Sequence, residues 1–146
     1  MPLPTNFKGS DAEKGEPIPG GTYRCSLKKI EAFDPDEARA AGKNTTAEHP
    51  SLRADWVVQD EGEYFGRHIF DNLILTAGKN FMLRRFLDAI AWPDDKDIIS
   101  DGVFVAASDM AEAECNLVVE IDPAKTVEGV TYEARNRVKA YITVFG

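Results

Sequence analysis

The run TYEARNRVKAYITVF, residues 131–145, alternates as a half-buried strand does. One parity holds Tyr132, Ala134, Val138, Ala140, Ile142 and Val144, interrupted by Asn136. The other holds Arg135, Arg137, Lys139, Tyr141 and Phe145. The first parity is predicted to face a core. The second sets three cations and two aromatics in a row on one face. The whole chain has 25 Asp+Glu against 17 Lys+Arg and a formal net charge of -8. A basic, aromatic stripe on an acidic chain suits a polyanion with stackable bases. The net charge argues against indiscriminate binding to duplex nucleic acid but leaves room for a local groove.

Upstream, the same period recurs. TYRCSLKKIEAF (22–33) carries Tyr23, Cys25 and Leu27 on one side and Arg24, Ser26 and Lys28 on the other. Its phase changes before Ile30, which predicts a bulge near Lys28-Lys29. SLRADWVV (51–58) sets Leu52, Ala54, Trp56 and Val58 against Arg53, Asp55 and Val57. RHIFDNLIL (67–75) reads as a third strand with apolar residues on both faces; His68 and Phe70 share a face and are candidates for exposure. NFMLRRFLDAIAW (80–92) switches to helical period, with Asn80 as N-cap and Pro93 as stop. CNLVVEI (115–121) is a fourth strand, and the opening segment is the fifth.

Three strands, a helix and two strands is the order of an OB-fold, a small barrel that often holds oligonucleotides. The expectation is therefore a mainly β domain over 21–146: a five-stranded, OB-like antiparallel barrel with one helix between strands three and four. Its core should include Tyr23, Leu27, Trp56, Val58, Leu73, Phe86, Ile90, Leu117, Val119, Val138 and Ile142. Residues 1–20, rich in Pro, Gly, Lys and Glu, read as a mobile arm. The polar stretch 34–50 reads as a long loop with a turn of helix at 36–41. An uncovered edge on the fifth strand predicts a two-fold homodimer, whereas closure of that strand against the first would give a monomer.

The outward rows combine into the candidate site. Arg24, Lys28, Arg53, Arg135, Arg137 and Lys139 are expected to contact phosphates, and Tyr141 to stack on a base. Single-strand binders need that pairing of cations and aromatic faces, each stack contributing roughly 1–3 kcal/mol. No HExxH, CxxC, GxSxG or Walker-type loop occurs, so no enzyme, cofactor or metal is expected. Asp94, Asp95 and Asp97 read as a solvated acidic loop. Cys25 and Cys115 are expected to be reduced core residues. The N-terminal sequence has no signal-peptide pattern and no run approaches about 18 apolar residues, so a cytoplasmic protein is expected.

Four segments taken together, GGTYRCSLKKIEA (20–32), LRADWVVQDEGEYFGRHIFDNLIL (52–75), FMLRRFLDAI (81–90) and NRVKAYI (136–142), resemble a bacteriophage family long catalogued as a domain of unknown function. Its members are assigned as single-stranded DNA-binding proteins of phage replication and recombination modules. The resemblance implies an OB-like fold, single-stranded DNA as partner, phage replication or recombination proteins as further partners, and the cytoplasm of a bacterial host as location. It carries no defined set of binding residues. The rival reading is an acidic, non-catalytic adaptor. Residues 94–122 hold nine Asp+Glu against Lys96 and could dock a basic phage or host protein.

Overall fold

In the computed structural model, which describes Leu3, Thr5, Asn6 and residues 16–144, the first alternating run is a 13-residue strand, β1 (Gly21–Phe33). The bulge falls where the phase change places it. Leu27 faces Trp56 on the next strand and Lys29 faces Asp55, so Lys28 is the extra residue. The slip lets Cys25, Leu27 and Ile30 all point inward. A two-turn helix, α1 (Pro35–Ala40), follows. The Asp34 carboxylate caps it, accepting from the backbone N–H of Asp36 at 2.9 Å, and Pro35 fills the first turn. Then come β2 (Ser51–Val58), β3 (His68–Ile74) and α2 (Phe81–Ala89).

The acidic segment contains a two-residue pair, β4 (Ile99–Ser100) and β5 (Val103–Phe104), and one turn of helix, α3 (Ala107–Met110). β6 (Glu114–Asp122) follows. A small hairpin, β7 (Lys125–Val127) with β8 (Val130–Tyr132), precedes β9 (Arg135–Ile142). Glu128 and Gly129 at its tip both have positive φ, 50° and 80°, as a tight two-residue turn requires. The continuous strand expected over 131–145 is therefore two elements. Tyr132 belongs to the hairpin, β9 ends at Ile142, and Phe145 lies outside the described residues.

The main sheet is five-stranded and antiparallel, in the order β3-β2-β1-β6-β9. It is not closed into a barrel. β3 and β9 are its edges, and β1 already pairs with β2 and β6, so the last strand cannot close against the first. The two edges are joined through a side chain: the Tyr141 hydroxyl donates to Asp71 Oδ2 at 2.5 Å, from β9 to β3. α2 covers the inner layer. Phe86 packs edge-on against Trp56 at 5.8 Å and against Tyr141 at 5.6 Å. The Trp56 N–H is buried and lies near enough to the Tyr141 oxygen to favour its phenolate, but it makes no hydrogen bond among the described residues.

Eight of the eleven expected core residues are buried. Tyr23 and Ile90 are half-buried at the core's margin, and Ile142 is 44% exposed. Ile142 is displaced by a second bulge. Val118 on β6 faces Ala140 and Val119 faces Val138, which leaves Lys139 as the extra residue. Beyond it the parity inverts, so Tyr141 turns inward and Ile142 outward. The segment Glu16–Gly20, grouped with the arm in the sequence, is pinned to the sheet. Ile18 is 1% exposed, and Asn136 grips it by accepting from its N–H at 3.0 Å and donating to its carbonyl at 2.9 Å. The rest of the expected arm, Leu3, Thr5 and Asn6 apart, lies outside the described residues. Among the described residues no helix is long and apolar enough to cross a membrane.

Candidate nucleic-acid interface

The outer face of β1, β2 and β3 is built by register. Lys29, Asp55 and Phe70 form one cross-strand row, and Glu31, Arg53 and Asn72 form the next. Phe70 is 65% exposed although its neighbours Ile69 and Leu73 are buried, because it occupies the outward parity of an edge strand. The His68 ring stacks on Phe70, with centroids 6.0 Å apart and planes 16° apart. His68 Nδ1 lies 2.6 Å from Asp55 Oδ1, which fixes the ring. The Arg53 guanidinium sits 3.7 Å over the Phe33 ring in a cation–π contact.

Beyond β3 the sheet's two edges bound a groove of about 470 Å³. From one side Arg67, His68, Phe70 and Asn72 line it, and from the other Arg135 and Arg137. The pinned segment forms one end: Arg67 donates to the Glu16 carbonyl, and the Tyr23 hydroxyl donates to the Pro19 carbonyl at 2.6 Å. A second concavity, about 390 Å³, adjoins the groove across Phe70 and Asn72 and is lined by Lys29, Arg53 and Asp55.

The structure thus brings Arg135 and Arg137 together with residues of β3, and sets Arg53 beside Phe70 in the second concavity. Arg24, Lys28 and Lys139 line neither concavity. Arg24 is held by Glu114 Oε2 at 2.9 Å, while Lys28 and Lys139 ride exposed on the two bulges. The stacking role expected of Tyr141 does not fit its position. The ring is 8% exposed, wedged between Trp56 and Phe86 by the β9 bulge. Phe70 and Arg67 are the functional candidates absent from the sequence-derived set. The shared parity of His68 and Phe70 was the signal for the first. Nothing local could have signalled Arg67, whose position matters only because β9 lies opposite.

Acids of β6 temper the basic row. Arg137 pairs with Glu120, and its Nε lies 3.4 Å from Asp122. Burial raises the pKa of Asp71, opposed by hydrogen bonds from Tyr141 and the Asn72 N–H. Burial, then the charge of Asp71, raises that of Tyr141. The Cys25 and Cys115 thiols face each other across β1 and β6, unbonded, each pushed up to about 12 chiefly by burial. Such thiols are poor nucleophiles. In the acidic segment Asp94 reaches Arg84 at 3.3 Å and Asp109 reaches Lys96 at 3.1 Å. Among the described residues no group of three His, Cys, Asp or Glu is placed to hold a metal ion.

The chain matches no protein-family model and no curated protein.

Proposed function

We propose that the protein binds single-stranded DNA along the groove between β3 and β9, with little dependence on sequence, in phage DNA replication or recombination in the host cytoplasm. The observation that carries this reading is Phe70, a large aromatic 65% exposed at the rim of a groove lined by three arginines. Arg67, Arg135 and Arg137 contact phosphates, and Phe70 stacks on a base; a lone aromatic patch or a lone cation row would need only one of those partners. The strand order supports an OB-like reading. It is that of an OB barrel opened between its third and fifth strands, counting only the five of the main sheet. In that fold oligonucleotides lie over the second and third strands and against the loop between the fourth and fifth, the place taken here by the β7–β8 hairpin.

The acids beside Arg137 set the cost. A phosphate must displace Glu120, an exchange at a half-exposed pair that is worth at most about 1 kcal/mol. The test is a titration of labelled oligo-dT at two salt concentrations. Micromolar binding is expected at low salt, with log K falling by about 0.7 per phosphate neutralised as log salt rises. Absence of binding at low salt rejects the reading. The adaptor reading gains if a basic partner survives nuclease treatment and is lost when Asp109, Glu112 and Glu114 are neutralised together.

A further inference from the structure

The second concavity has features that phosphate binding leaves unused. Asp55 stands directly across from Phe70, and Arg53 directly across from Asn72. A base lying flat on Phe70 would therefore turn one edge toward β2. Along that edge it meets a carboxylate and, two residues away on the same face, a guanidinium. Both groups are held in place. Asp55 Oδ1 is fixed by His68, which leaves Oδ2 to accept, and Arg53 is held by its contact with the Phe33 ring. Lys29 is engaged by Glu31 at 3.5 Å, and Glu31, directly across from Arg53, lines the concavity as well. The concavity, about 390 Å³, is of a size that holds one base and its sugar.

We infer that this concavity is a guanine subsite for one base of the bound strand. Guanine alone among the four bases sets two adjacent N–H donors beside a carbonyl acceptor on one edge. The donors meet Asp55 and the carbonyl oxygen meets Arg53. Adenine brings a ring acceptor toward the carboxylate and an amino donor toward the guanidinium, so both contacts repel. Thymine has one donor for Asp55. Cytosine has one amino donor and a smaller ring to stack. The inference rests on the single-strand reading and adds one discriminating position to otherwise sequence-tolerant binding.

The experiment compares four labelled oligonucleotides by fluorescence anisotropy at low salt: dT15 and dT15 carrying a single central dG, dA or dC. The dG strand is expected to bind roughly fivefold tighter than dT15, in line with one good paired contact. Replacing that dG by deoxyinosine, which lacks the exocyclic amino group, should remove part of the gain. Asp55→Asn, checked for folding by circular dichroism, should bring the dG-to-dT ratio to about one. Equal affinities for all four strands, or a preference for dC or dA, overturn the guanine assignment while single-strand binding stands. Free guanosine monophosphate binding as tightly as the dG strand also overturns it, because the site would then serve a mononucleotide. If no strand binds, both readings fall together.

Discussion

β1 and β9 each carry one bulge, and only the first was readable before the strands were paired. In β1 the apolar residues Tyr23, Cys25 and Leu27 demand one parity and Ile30 the other, so no straight strand buries all four. In β9 both parities offer something apolar. Val138, Ala140 and Ile142 fit one, and Tyr141 fits the other. The pairing with β6 decides for Tyr141, because turning inward joins its ring to Trp56 and Phe86 and brings its hydroxyl to Asp71. A bulge is thus visible in sequence when it resolves a conflict among aliphatic residues, and hidden when an amphipathic residue can stand on either face.

The largest test of that contrast is Tyr141→Ala. A core position predicts a loss of about 3–5 kcal/mol in chemical denaturation, the usual cost of emptying a buried aromatic site. Tyr141→Phe keeps the ring but strands the Asp71 carboxyl, and should cost about 1–3 kcal/mol. An exposed stacking residue would give the reverse pattern: unchanged stability with weakened oligonucleotide binding.

A smaller effect isolates Asp71 through pH. Its folded pKa is raised above 3.8, so across the interval between 3.8 and the folded value the native state keeps a proton that the unfolded chain has lost. Stability then falls as pH rises through that interval. Asp71→Asn removes the fall, so the variant's urea midpoint should gain on the wild type as pH increases from below 3.8 toward neutrality. Parallel midpoint curves would show that Asp71 is not desolvated at the seam between β3 and β9.

The smallest effects concern the bulge residues. Lys28→Ala and Lys139→Ala should each change stability by less than about 0.5 kcal/mol, since both side chains are exposed and make no ion pair among the described residues. Against oligo-dT, Arg135→Gln with Arg137→Gln should flatten the salt slope by about 0.7 for each arginine lost, and Lys28→Ala should leave it unaltered. Equal flattening by both would mean that bound DNA spreads over β1 as well as the groove.

The five main strands, the helix and most of the core were legible because period and parity are local properties. The open edge and the groove were not, because they depend on β3 and β9, some sixty residues apart, lying opposite each other. The arginines of β9 were readable as exposed, yet the acid partners of Arg137, Glu120 and Asp122, come from a different strand, β6. Two local anomalies did point beyond themselves. Asn136 interrupts an apolar row because it grips the backbone of Ile18, and Ile18 is an aliphatic residue between prolines in a polar stretch because it is the piece gripped.

That grip links positions 118 residues apart, and it bears on how the chain is made. Synthesis runs from the N-terminus, so Ile18 leaves the ribosome long before Asn136 exists. Until β9 emerges, the outer edge of β6 has no ladder partner and Ile18 has no clamp. The nascent protein must wait with one strand edge bare and one aliphatic anchor loose, the state in which unpaired strands are open to wrong partners. Covering of the β6 edge is thereby timed by the translation of β9, and the strand that supplies Arg135 and Arg137 to the groove is the same one that ends the wait.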